Sequence, residues 1–378
     1  VHSENLILKF ILMEEFTKKK LFTILLSVSL LFSLTGCAKE EPAKEPVKEV
    51  QTQENTETEE TRTFTDSVGR TVTIPKELKK IAPSGPVAQL VLYTAAPDLL
   101  CGLAREFPET AKGYIDDSYY FLPVFGQFYG KNANLNMEAL LAASPELVID
   151  IGEPKENIGE ELDSLSEQLG IPVVFIEATL PTMESAYTKL GELLGNTKEC
   201  EELAEYCKEL LEDTSKKAAS IPEDEKKAIY LASGNEGLNT NASGSIHGDI
   251  VEQIGAVNAA RVDAASTGGG SEVSLEQIFL WNPDIVLADT KELYEKLLKD
   301  PAWQDLEAVK NNQVYQFPDI PYSYINNPPS VNRFIGIPWL GSIVYPEVYT
   351  EDIRKEVTEF YQLFYHIELT EEQLDEIL

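Results

Sequence analysis

One segment of the chain occurs twice, and this repeat restricts the possible folds more than any other feature. The first copy, residues 136–149, reads NMEALLAASPELVI, and the second copy, residues 274–287, reads SLEQIFLWNPDIVL. Each copy opens with a helix-capping Asn or Ser, carries a Glu two positions later, and has a helix-stopping Pro seven residues after that Glu. An apolar run typical of a buried strand follows. The repeat therefore predicts two similarly built lobes, each with a short helix that leads into a strand.

Short apolar segments alternate with helix-length amphipathic sequence over most of the chain. After a predicted hairpin from Thr63 to Ile74, the predicted strands are Leu147–Ile151, Val173–Ile176, Ile229–Ala232 and Ile285–Ala288. This alternation indicates an α/β fold with mainly parallel sheets. Two such lobes face each other across a cleft at the carboxyl ends of their strands, where small ligands usually bind.

The long helical region at 182–220 lies between the second and third of these strands, and we interpret it as a rigid connecting helix between the lobes. The predicted boundaries are an N-terminal lobe at 61–181, the connector at 182–220 and a C-terminal lobe at 221–378.

The charge and the histidine count exclude two classes of partner. The 64 acidic and 31 basic residues give a net charge of −33, and a nucleic-acid binder needs Lys and Arg to replace the counterions of the phosphate backbone. Only three histidines occur, His2, His247 and His366, so the chain cannot cage a bare metal ion with three imidazoles once its N-terminal segment is removed.

The N-terminal segment has the pattern of a secretory signal. Three lysines at 18–20 precede an apolar run from Leu21 to Leu34, and this run is shorter than the roughly 20 residues that a membrane span needs. The order Leu34, Thr35, Gly36, Cys37 resembles a bacterial lipobox, which implies cleavage before Cys37 and its lipidation. Residues 1–36 are thus predicted to be a signal peptide, of which residues 1–12 precede a plausible start at Met13.

The stretch that follows, residues 37–60, is predicted to be a disordered acidic tether. The stretch is rich in Glu, Pro and Thr and contains no aromatic residue. A segment of this composition cannot form a hydrophobic core. We therefore expect a folded domain held outside the cytoplasmic membrane by a lipid anchor.

Four pieces of the folded part, in this order, resemble one family. They are the hairpin at 64–75, the two Glu-to-Pro segments of the repeat, a glycine-bearing loop at 239–248 followed by a helix at 249–258, and the segment NPPSVNRFIGIPWL at 327–340. Together they are similar to the substrate-binding proteins of ABC importers for ferric siderophores, haem and cobalamin, which belong to the class III periplasmic-binding-protein type. The resemblance implies two lobes on a rigid helix, a cleft that closes only slightly, and a monomer that works with a permease and its ATPase.

In that family, a Glu on the rim of each lobe docks onto arginine pockets of the permease. The matching positions are Glu138 and Glu276, the same pair that the repeat singles out. The alternative interpretation is that each Glu only complements the helix dipole, a contribution of about 0.3 to 1 kcal/mol.

Candidate ligand-binding residues occur in both lobes. Aromatic residues crowd the segment from Arg105 to residue 130, and an aromatic-rich loop offers flat apolar surface and phenol groups to a catecholate, a porphyrin or a corrin. His247, in a glycine-bearing loop, is a candidate axial ligand to haem iron or to an open site on a chelated metal. The candidates are Arg105, which would bind an anionic ligand, with Tyr119, Tyr120, His247, Tyr322 and Tyr324.

The sequence favours a transport protein over an enzyme. One loop contains Ser245, His247 and Asp249, but alternate residues in a loop do not form a catalytic triad by their spacing. The sequence also contains neither a nucleophile elbow nor a phosphate-binding loop. The expected ligand is a chelated metal, in the order ferric siderophore, haem, then cobalamin or another chelate, with no intrinsic cofactor. A surface scaffold or adhesion lipoprotein is the alternative of another class.

Overall fold

The computed structural model describes residues 60–129, 133–263 and 270–378. Thr58–Leu378 form one compact unit with its own hydrophobic core, so this part of the chain is suited to separate production. The predicted signal peptide, Cys37 and nearly all of the tether lie outside the described residues. Within those residues, no helix has the length and apolar character needed to cross a membrane.

The first lobe contains a hairpin and a three-stranded parallel sheet. The hairpin pairs β1 (Thr61–Thr65) with β2 (Thr71–Pro75), as predicted. The sheet has the order β3 (Ile81–Pro83), β4 (Leu147–Gly152), β5 (Val173–Glu177). The first five residues of β4 are buried, because apolar clusters cover both faces of the sheet.

The second lobe contains a four-stranded parallel sheet and a small antiparallel pair. The strands are β6 (Ala228–Ala232), β7 (Asn239–Thr240), β8 (Val257–Asn258), β9 (Ser271–Glu272), β10 (Ile285–Ala288) and β11 (Val314–Gln316). The sheet order is β11-β10-β6-β8, and β7 pairs with β9. Four parallel strands, two in each lobe, lie within one residue of their predicted positions, which confirms an α/β fold with mainly parallel sheets.

Twelve α-helices lie within the described ranges. They are α1 (Pro86–Ala95), α2 (Met137–Ala143), α3 (Ile158–Leu169), α4 (Met183–Leu194), α5 (Thr197–Ser220), α6 (Asp249–Gln253), α7 (Leu275–Trp281), α8 (Lys291–Lys299), α9 (Glu307–Lys310), α10 (Asn332–Val344), α11 (Ile353–Phe364) and α12 (Glu371–Ile377). The connecting region consists of two packed helices, α4 and α5, because Gly195 leaves the helical conformation with φ of 80°. The longer of the two, α5, has 24 residues.

Apolar packing joins the two lobes. One continuous cluster of buried side chains runs from Ile149 of the first sheet, through Leu203 of α5, to Leu287 of the second sheet. The C-terminal helices also return to the first lobe, where the Tyr114 hydroxyl donates to the Glu376 carboxylate at 2.8 Å. The lobes are therefore connected by the chain and by shared core.

Candidate functional site

The interlobe region is formed by loops that follow the carboxyl ends of parallel strands. In the second lobe, the loop at 317–331 follows β11 and reaches the first lobe through Tyr322, which is 5% exposed. Burial raises the pKa of Tyr322, while the Arg105 charge and the Gln89 amide act in the opposite direction. Tyr322, Arg105 and Gln89 thus meet where the two lobes face each other.

Gln89 organises the first-lobe side of this contact. It lies in the first turns of α1 and is 1% exposed, and its Oε1 accepts the backbone N–H groups of Ala104 at 2.8 Å and Arg105 at 3.0 Å. A buried amide with two such bonds fixes the path of the loop that carries Arg105. Sequence reasoning missed Gln89, although a single polar residue within the apolar stretch 87–93 was a usable signal.

Arg105 supplies positive charge to this region. Its side chain is half-buried, and no carboxylate in the described part of the chain lies within ion-pair distance of it. Arg70 and Arg333 differ, since Arg70 pairs with Asp66 and Arg333 pairs with Asp249, each at 2.9 Å or less. Arg62 also lacks a carboxylate partner among the described residues, but its guanidinium donates to the backbone carbonyls of Glu192 and Leu193. A half-buried guanidinium that has no carboxylate partner is suited to bind a carboxylate or another oxyanion of a ligand.

The two neighbouring tyrosines of the first lobe have different surroundings. Tyr120 packs on Phe107 with ring centroids 5.5 Å apart, and its buried hydroxyl has no hydrogen-bond partner among the described atoms. Burial raises its pKa to about 12, so the hydroxyl keeps its proton at neutral pH. It lies close enough to Tyr322 to affect the pKa of that residue. The Tyr120 hydroxyl is therefore a buried polar group, unpaired among the described atoms and close to Tyr322.

Tyr119 points elsewhere. Its ring packs edge-on against Tyr93, and its hydroxyl donates to Asp98 at 3.2 Å. Together with Asp98 and His366, it lines a hollow of about 610 Å³. Tyr119 is thus not brought together with Arg105 and Tyr322, because successive residues of the short 3-10 helix at 117–121 face different directions.

His247 lies on the second-lobe side, in the loop at 241–248. Its Nδ1 is 2.8 Å from the backbone oxygen of Asn326 in the Tyr322 loop. Because a carbonyl only accepts, Nδ1 carries a hydrogen, and Nε2 is the ring nitrogen left to coordinate a metal. A histidine oriented by a second-shell carbonyl is the usual arrangement of a metal ligand.

The loop that carries His247 is anchored by an ion pair. Arg333 of α10 is 1% exposed, and its Nη1 donates to both carboxylate oxygens of Asp249 at 2.8 Å and to the carbonyl of Ile246 at 2.8 Å. These contacts lie on both sides of His247 in the chain. Arg333 therefore fixes the position of this loop and is no ligand residue.

Tyr324 does not lie over the cleft as we expected from the sequence. It is 1% exposed, its ring packs edge-on against Trp339, and its hydroxyl donates to the Tyr361 hydroxyl at 3.2 Å. The residue is buried in the core because its polar end finds a partner on α11, which comes 37 residues later in the chain.

A buried carboxyl group lies near the carboxyl end of the first-lobe sheet. Asp150 of β4 is 1% exposed, and the Ser84 hydroxyl donates to its Oδ1 at 2.5 Å. Its Oδ2 has no partner among the described atoms. Burial raises the pKa of Asp150, against the opposing effects of Ser84, Tyr129 and Lys155. Sequence reasoning missed this residue too, although an Asp within an apolar strand is unusual.

The raised pKa predicts a pH-dependent effect of Asp150→Asn. Above the pKa of the unfolded chain, about 3.9, ionisation favours unfolding, so the native state loses stability as the pH rises towards the higher folded-state pKa. Asn keeps the acceptor for Ser84 without the charge. We expect the variant to exceed the wild type in free energy of unfolding at pH 8, and by less at pH 4, in urea denaturation of residues 58–378. An equal loss of stability at both pH values would contradict this prediction.

The two rim carboxylates occupy equivalent places in the two lobes. Glu138 and Glu276 are exposed and lie in the first turns of α2 and α7, capped by Asn136 and Ser274. Backbone N–H donation and the Ser274 hydroxyl lower the pKa of Glu276, so it is anionic at neutral pH.

Comparison with known proteins identifies the family to which this two-lobe fold belongs. The family model described as "Periplasmic binding protein" matches residues 128–321, just over half of the chain. The molybdate-binding protein MolA of Haemophilus influenzae is 25% identical over 338 residues, which are 80% of this chain and 91% of MolA. The Fe(3+)-citrate-binding protein YfmC of Bacillus subtilis is 30% identical over 49% of this chain and 58% of YfmC.

A solved structure shows the same fold. The ABC transporter solute binding protein from Sulfurospirillum deleyianum superposes with a TM-score of 0.78 at 27% identity, over 84% of this chain and 99% of that protein. By its family match and its two-lobe fold, the chain belongs to the periplasmic binding protein family, whose members capture a small solute and pass it to the permease and ATPase of an ABC importer.

Proposed function

We propose that this protein is an extracytoplasmic lipoprotein that captures an anionic metal complex between its two lobes and delivers it to an ABC permease. Arg105 is the observation that carries this proposal. In a chain with a net charge of −33, Arg105 is a half-buried guanidinium near Tyr322 with no carboxylate partner among the residues that the structure describes, and this favours a ligand with anionic oxygen atoms.

The named relatives support an anionic ligand. The molybdate of MolA is an oxyanion, and the ferric citrate of YfmC carries carboxylates. His247 favours a ferric chelate among these, because its free Nε2 is able to fill an open coordination position on iron. A ferric siderophore or a ferric carboxylate is therefore the first candidate, followed by haem with His247 as axial ligand. Molybdate is the second kind of candidate, since the similarity to MolA extends over most of both chains.

Two further parts of the proposal concern the location of the protein and its partner. The lipobox pattern before Cys37 supports a lipid anchor in the cell membrane, with residues 37–60 as the tether. The equivalent exposed positions of Glu138 and Glu276 support docking onto basic pockets of the permease. We propose that the protein works as a monomer. A scaffold or adhesion role would require neither a ligand site nor this pair.

The ligand class is tested by thermal shift on residues 58–378. The panel contains molybdate, ferric citrate, catecholate and hydroxamate ferric siderophores, haemin and cobalamin. A ligand present at 100 times its Kd adds about 2.7 kcal/mol, which raises the Tm of a protein of this size by a few degrees. We expect a rise with an anionic metal complex, and expect Arg105→Ala to weaken its binding 10-fold to 100-fold, because a hydrogen bond to a charged group contributes about 1.5 to 3 kcal/mol.

Two variants control for general charge effects. Arg354→Ala removes the same charge from α11, where Arg354 pairs with Glu371 and Asp375, and it should leave ligand affinity unchanged. Arg105→Lys keeps the charge but loses the planar fork, so intermediate affinity is expected. A Tm rise with cobalamin alone, or full affinity in Arg105→Ala, would contradict the proposal.

A further inference from the structure

The two helices of the repeat have the same degree of burial at four of their seven aligned positions. The exposed leucines differ in register, because Leu141 aligns with Phe279 and Leu280 aligns with Ala142. Leu140 of α2 and Ile278 of α7 are fully buried, and the prolines that follow both helices are buried as well. Both helices end in a residue of left-handed conformation, Ser144 with φ of 53° and Asn282 with φ of 43°. The first and second lobes thus present the same structural unit to solvent, with the rim carboxylate in the same place on each.

Beside each carboxylate, this unit exposes large apolar side chains. Leu141 is 49% exposed and Leu280 is 84% exposed, while Met137, next to Glu138, is 36% exposed. These three are half of the exposed large hydrophobic residues in the described part of the chain, although each helix has only seven residues. Leu141 follows Glu138 by three positions and Leu280 follows Glu276 by four, so each leucine lies one turn from the carboxylate on the same helix side.

We infer that Leu141 and Leu280 form the apolar half of the permease-docking surface, each inserted into an apolar pocket next to the basic pocket for the adjacent Glu. This inference rests on the docking role given to Glu138 and Glu276 in the proposed function. An exposed apolar side chain contributes to affinity when an interface buries it, because its hydrocarbon surface leaves water.

The charges identify the permease as the occupant. A second copy of this chain, paired through the same unit, would bring its own Glu against Glu138 or Glu276, and the repulsion would oppose association. An anionic lipid surface would repel the same carboxylates. A partner with basic and apolar groups side by side complements both features of the unit.

The test measures binding of labelled protein, residues 58–378, to right-side-out membrane vesicles of the native cell in which its own gene is deleted. We expect the double variant Leu141→Asp with Leu280→Asp to bind at least tenfold more weakly than wild type, which corresponds to about 1.4 kcal/mol. Leu298→Asp on α8 is the matched control, because Leu298 is 37% exposed but lies outside the repeat, and it should bind as wild type does. The Tm of each variant shows whether it is folded. If the aspartate pair does not fold, the milder pair Leu141→Ser with Leu280→Ser takes its place.

The possible outcomes distinguish the apolar contribution of the leucines from the proposed docking by Glu138 and Glu276. Normal binding of the leucine pair, together with lost binding of Glu138→Arg with Glu276→Arg, overturns the apolar contribution and leaves docking by the carboxylates intact. Saturable binding that survives both pairs overturns docking by this unit altogether. An equal loss in Leu298→Asp and the leucine pair means that added charge acts nonspecifically, and this too overturns the inference.

Discussion

Reversal of charge at both rim carboxylates, Glu138→Arg with Glu276→Arg, is expected to abolish solute uptake while the affinity for solute stays within twofold of wild type. Both side chains are exposed and lie on α2 and α7, not on the loops that carry the candidate ligand residues, so the substitution is expected to alter the proposed docking contact and to leave the ligand site intact. Like charges placed at an interface cost several kcal/mol, which is enough to lower uptake more than 100-fold. Uptake by cells that carry the variant, and Kd measured on residues 58–378, check the two halves of this result.

A second pair of substitutions distinguishes docking from a helix-dipole effect. Glu160 and Glu307 are exposed acids in the first turns of α3, in the first lobe, and α9, in the second. Glu160→Arg with Glu307→Arg removes the same dipole interaction from two helices that lie outside the repeat. Normal uptake is expected from this control. Uptake that persists in the Glu138 and Glu276 double variant would rule out the docking role.

Loss of the Asp249 carboxylate is expected to lower the free energy of unfolding by about 3 kcal/mol, because Asp249→Ala leaves the 1%-exposed Arg333 without a counter-ion. This value is at the lower end for a buried pair, since the Asp249 side chain is 30% exposed. Urea denaturation of residues 58–378 measures the change. Ligand affinity should fall as well, because the same ion pair holds the loop that carries His247.

Removal of both charges tests the cause of this loss. In the double variant Arg333→Met with Asp249→Ala, no unpaired buried charge remains, and most of the lost stability should return. A double variant as unstable as Asp249→Ala alone would mean that packing or helix capping, rather than the uncompensated cation, causes the destabilisation.

The sequence predicted the elements well and the side-chain environments only partly, for a physical reason. Strands such as Ile285–Ala288 and the paired helix-to-strand units were predictable because caps, stop signals and apolar runs act over a few neighbouring residues. Whether Tyr324 faces a ligand or the core depends on the distant hydroxyl of Tyr361, which no local pattern reports. The different directions of Tyr119 and Tyr120 depend on the geometry of the short 3-10 helix that carries them.

The residues that sequence reasoning missed show the same limit. Gln89 and Asp150 each interrupt an apolar segment, and such an interruption signals a buried polar group without naming its partner. The partners, Ala104 and Arg105 for Gln89 and Ser84 for Asp150, come from other elements that only the folded chain brings together.

The apolar cluster shared by the two lobes fixes the span between the rim carboxylates. A large rotation of one lobe against the other would disrupt the continuous buried cluster that contains Leu203 of α5 and residues of both sheets, and exposing that hydrocarbon to water costs on the order of several kcal/mol. In their proposed docking role, Glu138 and Glu276 are therefore expected to serve as two contact points whose separation changes little when solute binds. We expect a permease to distinguish the loaded from the empty protein by the loops at 241–248 and 317–331, and not by a change in that separation.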